Sequence, residues 1–77
     1  MNRGKPEKYI ALAGSIQQLM QDMELKSGDS LPSERKLAEH FKCNHITVRK
    51  SLRLLAQKNI IHTIASKGNF AGAAPLQ

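Results

Sequence analysis

LPSERKLAEHFKCNHITVRKSLRLL, from Leu31 to Leu55, reads as two short helices joined by a tight turn. Ser33 suits the N-cap of the first, and Glu34 sits favourably at the positive end of its dipole. Leu37, Ala38 and Phe41 supply its buried face. Lys42-Cys43-Asn44 is the turn, and Asn44 caps the next helix, expected from about His45 to Lys58. Val48, Leu52, Leu55 and Ala56 mark that helix's inward face. His45, Thr47, Arg49, Lys50 and Arg53 fall largely outside it. A helix that packs one side on a domain and turns a polar, basic side outward is the form that enters the major groove of DNA.

On the N-terminal side, Tyr9, Ile10, Leu12, Ala13, Ile16, Leu19, Met20 and Met23 recur in steps of three and four. That spacing predicts one apolar stripe on a helix starting at Glu7 and ending near Met23 to Leu25. Residues 1–6 read as frayed, although Pro6 could occupy a first helical turn. Lys26-Ser27-Gly28-Asp29-Ser30 is a loop by composition, and Leu31 is expected as a single strand-like residue before Pro32. On the C-terminal side, Asn59 stands where a left-handed residue commonly closes a helix. The β-branched Ile60, Ile61, Thr63 and Ile64 predict a strand over Ile60–Ala65. Ser66-Lys67-Gly68-Asn69 is a turn signal, and Phe70-Ala71 starts a return strand. The fold class expected is mainly α with a small β-hairpin: a winged helix-turn-helix of three helices and a two-stranded wing, with residues 1–72 as the domain. Ala73–Gln77 reads as the start of an interdomain linker, so the chain is expected to be a piece of a larger regulator, with a stand-alone small regulator as the alternative.

The chain has 77 residues, enough for one domain and no deep substrate cavity. A domain of this size buries only about 60% of its unfolded surface. The single cysteine, Cys43, cannot form an internal disulfide. No apolar run is long enough to span a membrane, and the N-terminus lacks the apolar core of a signal peptide, so a cytoplasmic, nucleoid-associated setting is expected. The net charge of +6 is unevenly spread. Residues 1–25 carry three Lys or Arg against three acids; residues 26–77 carry nine against three, with no acid after Glu39. Such asymmetry points to a polyanion partner; the alternative is a solubilising surface.

Leu31-Pro32-Ser33-Glu34-Arg35-Lys36-Leu37-Ala38 resembles the GntR family of bacterial transcription regulators, whose DNA-binding domain typically reads LPSER-x-LA. The family's second block, V-S-R-x-T-V-R, corresponds to Cys43-Asn44-His45-Ile46-Thr47-Val48-Arg49, and its wing turn, G-x-G, to Ser66-Lys67-Gly68. The resemblance runs from about Tyr9 to Ala71 and extends to the HutC/UTRA-type branch. It departs at three places. His45 stands where the family usually has Arg, and a neutral imidazole has no fork to grip guanine O6 and N7. Ser66 replaces the first wing glycine, and Asn59 replaces the usual helix-ending glycine.

The resemblance implies that Arg35, at the start of the second helix, contacts DNA; a surface pair with Glu39 is the alternative. Thr47 and Arg49 match the family's contact positions on the third helix, where Arg49 could read guanine or hold a phosphate. His45 is a further contact candidate. Ser33 is a cap whose helix terminus could also receive a phosphate. Lys50 and Arg53 extend the outward face toward phosphates, and Lys67 and Gly68 form a wing tip able to reach the minor groove or the backbone. Ile46 either touches a thymine methyl or packs under the turn. His62 reads as a strand surface residue, and Met20 and Met23 as core. His40, Cys43 and His45 are too crowded for a zinc pattern, Cys43 fits a small apolar site, and no catalytic set or cofactor loop is evident, so neither an enzyme nor a cofactor is expected.

The expected function is therefore sequence-specific DNA binding in a bacterial transcription regulator. It would act as a repressor on a palindromic operator, as a homodimer in the full-length protein. A small-molecule effector enters only with a C-terminal domain beyond this chain. The rival is a winged-helix module whose basic face meets an acidic protein.

Overall fold

The computed structural model describes residues 8–74. Three helices, α1 (Lys8–Asp22), α2 (Glu34–Phe41) and α3 (His45–Gln57), precede a hairpin of β1 (Ile61–Ile64) and β2 (Gly68–Ala71). This is the expected winged helix-turn-helix. The readings of residues 1–6, of Glu7 as a helix start and of the last three residues of the tail lie outside the described residues.

The core is built where the stripes of the elements meet. α1 contributes Ala13, Ile16 and Met20, α2 contributes Leu37 and Ala38, and α3 contributes Val48, Leu52 and Leu55. Leu31, Ile61 and Ala71 close it from the wing side. Each fully buried Leu, Ile or Val stabilises the fold by about 1.5–3 kcal/mol relative to exposure. Met23 and Ile10 depart from the expected stripe: both are about half exposed. Met23 lies just past the end of α1 at Asp22, its amide still donating to Leu19 O at 2.9 Å, and its side chain stays at the open end of the helix.

One polar residue lies in the core. Ser51 is fully buried, and its Oγ lies 2.7 Å from Tyr9 O and 3.0 Å from Thr47 O. Its single hydroxyl proton can go to only one carbonyl at a time. Ser51 sits on the face of α3 shared with Val48 and Leu55, where α1 packs, so its small side chain ties the two helices together.

Both predicted caps form. Ser33 Oγ accepts from Lys36 N at 3.1 Å and Asn44 Oδ1 from Thr47 N at 2.9 Å. All three helices close through a residue at positive φ: Glu24 (57°), Lys42 (55°) and Asn59 (63°). In each case the next amide reaches back to a carbonyl five residues earlier: Leu25 to Met20 (3.1 Å), Cys43 to Ala38 (3.0 Å) and Ile60 to Leu55 (2.9 Å). These are Schellman closures made without glycine.

β1 and β2 pair antiparallel, from Ile61 opposite Ala71 to Ile64 opposite Gly68. The strands differ from expectation by a residue or two, because the turn is shorter than its composition suggests. Lys67 N donates to Ile64 O at 2.9 Å, which confines the loop to Ala65-Ser66-Lys67 and places Gly68 and Asn69 in β2. Ser66 has φ 67°, the positive φ that a type II turn needs at its third residue and glycine usually supplies. The loop after α1 then lies along the other edge of β2. Gly28 N donates to Ala71 O (2.8 Å), Ala71 N to Asp29 O (2.8 Å) and Leu31 N to Asn69 O (2.9 Å). The bridged residue is Ser30, opposite Phe70, and Leu31 instead turns into the core.

Candidate nucleic-acid interface

Helical geometry sorts α3 into two sides. Val48, Ser51, Leu52 and Leu55 are buried, and Ile46, Arg49, Lys50, Arg53 and Gln57 are exposed on the opposite side. Ile46 is 65% exposed, the most exposed of the large apolar side chains among the described residues. It therefore does not pack under the turn. His45, also exposed, opens the helix beside the Asn44 cap. Thr47 is half-buried, and its hydroxyl donates to Asn44 Oδ1 at 3.1 Å. Asn44 thus fixes both the first turn of α3 and the rotamer of Thr47.

An open cleft of about 640 Å³ separates this helix from the wing. Ser33 and Glu34 from the start of α2, Arg49 and Arg53 from α3, and Lys67 and Gly68 from the wing line it. Five of the sequence-predicted residues therefore converge here from three elements. Arg35, His45, Ile46 and Thr47 are not in the cleft lining. Lys50 and Arg53 border a second hollow of about 250 Å³ together with Tyr9, Leu54 and Gln57. Arg53 thus stands on the ridge between the two.

A surface pair of Arg35 with Glu39 was the alternative to DNA contact for Arg35. The structure instead pairs Glu34 with Arg49, and this is the salt bridge found among the described residues. Arg49 Nη2 donates to Glu34 Oε1 at 3.1 Å and Nε to Oε2 at 3.4 Å. The hydrogen bond to the carboxylate, then its charge, raises the pKa of Arg49 above its already high ordinary value. The guanidinium stays cationic at every working pH. Arg49 is 61% exposed and Glu34 33% exposed. Exposed pairs of this kind add little to stability.

The wing is stiffened by polar contacts that composition did not reveal. Thr63 Oγ1 donates to Asn69 Oδ1 across the hairpin at 2.6 Å. His62 is half-buried rather than a simple surface residue. Its Nδ1 donates to the carbonyl of Gly72 at 2.8 Å, and its ring stacks on Phe70 with centroids 5.7 Å apart. Cys43 is half-buried and packs against the core. Among the described residues, no group of three His, Cys, Asp or Glu side chains is placed to hold a metal ion.

The profile described as bacterial regulatory proteins, gntR family, matches residues 8–70. The chain belongs to the GntR family. Its relatives include the mannosyl-D-glycerate transport/metabolism system repressor MngR of Escherichia coli (strain K12), 34% identical over 67 residues, which are 87% of this chain and 28% of MngR. The HTH-type transcriptional regulator TreR of Bacillus subtilis (strain 168) is 35% identical over 65 residues, 84% of this chain and 27% of TreR. Among solved structures, the possible transcriptional regulator YydK from Bacillus subtilis superposes with a TM-score of 0.81 at 31% identity, covering 91% of this chain and 31% of YydK. The chain spans about a quarter to a third of these proteins. It is a GntR-type DNA-binding domain of transcriptional regulators.

Proposed function

We propose that this domain reads a palindromic operator by laying α3 in the major groove, with α2 abutting the sugar-phosphate backbone and the wing flanking it. The observation that carries this reading is the face of α3. Its exposed side holds Ile46, Arg49, Lys50 and Arg53 with no acidic residue, and its buried side anchors the helix to the core. His45, Ile46, Thr47 and Arg49 lie in the first two turns, where recognition helices meet base edges. Ser33, Arg35, Lys50, Arg53, Lys67 and Gly68 surround them as backbone contacts. The absence of an Arg fork at His45 shifts base preference there away from guanine.

The operating unit is a homodimer of the full-length regulator, acting as a repressor in the cytoplasm, at the nucleoid. MngR, a repressor by name, supports that sign. The remaining length of the relatives leaves room for a further effector domain beyond the linker that begins at Ala73, and the sequence resemblance suggests the HutC/UTRA type for it. A single domain on a half-site lacks the avidity of two joined domains, so the isolated chain binds weakly. Selection from a randomised duplex library, followed by gel shifts, tests the reading. Enrichment of one half-site motif, occurring as an inverted repeat in the best binders, is expected. Enrichment of no motif overturns it. So does an acidic protein that stays bound to this face in excess duplex, which favours the protein-interaction alternative.

A further inference from the structure

Glu34 is an acid where a polyanion is expected. It lines the cleft beside Ser33, Arg53 and Lys67, in the stretch 26–77 that holds only three acidic residues. A carboxylate at the first turn of α2 favours the helix dipole, but that role needs no reach to another helix. The side chain nevertheless spans from α2 to α3 and takes Arg49 with both oxygens.

The manner of the contact matters more than its strength. Glu34 occupies Nε and one hydrogen of Nη2, the side edge of the guanidinium. The two hydrogens of Nη1 and the second of Nη2 stay unused by it. That end edge offers two parallel donors, the pattern that matches O6 and N7 of guanine. An arginine 61% exposed on a long stem would otherwise sample many rotamers and take any phosphate within reach. Held by a carboxylate, it loses less freedom on docking and carries less net charge toward the backbone.

We propose that Glu34 is a positioning residue, which grips the side edge of the Arg49 guanidinium and leaves the end edge to read a guanine, so that Arg49 discriminates bases instead of gripping phosphate. This rests on the reading that α3 enters the major groove. It assigns a role to a residue of the first block that does not itself touch the base.

The test uses the 77-residue chain and its Glu34→Gln, Glu34→Asp and Arg49→Ala variants, each checked for an unchanged fold by circular dichroism. The probes are the duplex recovered by the wild-type chain from a randomised library, the same duplex with single guanines replaced by 7-deazaguanine, and a scrambled duplex. The wild-type chain should lose about 10-fold at one 7-deazaguanine position, the scale of a bidentate base contact. Arg49→Ala should abolish that sensitivity. Glu34→Gln should reduce it to about 2-fold, bind the scrambled duplex more tightly, and steepen its log K against log salt slope by about 1. Glu34→Asp keeps the charge and shortens the reach, so it should restore weak scrambled binding without restoring discrimination. Undiminished 7-deazaguanine sensitivity in Glu34→Gln overturns the proposal, as does equal weakening on every duplex. If the wild-type chain prefers no duplex, the DNA-reading function itself fails, and the inference fails with it.

Discussion

Arg49 and Asn44 show how single side chains prepare this surface. Asn44 accepts from both the amide and the hydroxyl of Thr47, so it supports the helix end and a candidate contact at once. Asn44→Ala should cost about 1 kcal/mol, typical of a lost N-cap. In a domain of this size that lowers the melting temperature by about 4–8 °C in a thermal scan. Arg49→Ala should weaken operator binding by about 1–3 kcal/mol if the residue reads a base. An equal loss on all sequences would assign it to phosphate. The caps at Ser33 and Asn44 were legible in the sequence, because capping is a local act between residues two or three apart. The Glu34 to Arg49 pair was not. Its partners lie fifteen positions apart and meet only once α2 and α3 cross. The pair that local spacing offered, as the alternative to DNA contact by Arg35, was Arg35 with Glu39, four residues apart on one helix.

At the scale of elements, the helices were read to within a residue or two because their apolar stripes have a strong period. The wing was harder. Its strands are four residues each, and the placement of Gly68 in β2 depends on the hydrogen bond from Lys67 to Ile64. The edge contact of residues 28–31 with β2 has no periodic signal either, so the extended residue was assigned to Leu31 when it is Ser30. Gly72 fastens this three-way junction. Its φ is 90°, its amide donates to Ile60 O at 2.7 Å, and an added Cβ would come 2.5 Å from Ser27 Oγ. Gly72→Ala should therefore destabilise the domain by about 1–2 kcal/mol, the cost of a Cβ at left-handed backbone. Amide exchange should accelerate most in β1 and β2, and unchanged protection there would contradict this. Glu24 is the converse case, a side chain held at φ 57° at an exposed helix end. Glu24→Gly should remove that strain and gain about 0.5 kcal/mol after the larger unfolded-state entropy of glycine is subtracted. A raised melting temperature checks it.

The whole molecule is a small core beneath a charged face. Ile16, Leu37, Val48, Leu55 and Ile61 are the large apolar side chains most completely buried. A domain of this size holds only about 3–5 kcal/mol of stability. Leu37→Ala, at about 2–5 kcal/mol, should leave a substantial unfolded fraction at 25 °C, visible as lost helical circular dichroism. Most of that core was legible, since burial follows hydrophobic pattern; Ile10 and Met23, read as part of the stripe, stay half exposed, and the burial of Ser51 follows from the closeness of α1 to α3 and not from its chemistry. The net charge of +6 lies in residues 26–77, which supply the basic side chains of this face, because residues 1–25 are balanced. No helix among the described residues is long and apolar enough to cross a membrane. On the proposed reading, this face binds duplex DNA through its phosphates and selects sequence through α3. Fluorescence anisotropy of the selected and scrambled duplexes, titrated across a range of salt concentrations, tests it most directly. About five phosphate contacts predict a log K against log salt slope of about −4 to −5, with the selected duplex the tighter at every salt. A slope near zero, or no binding to either duplex, would contradict it.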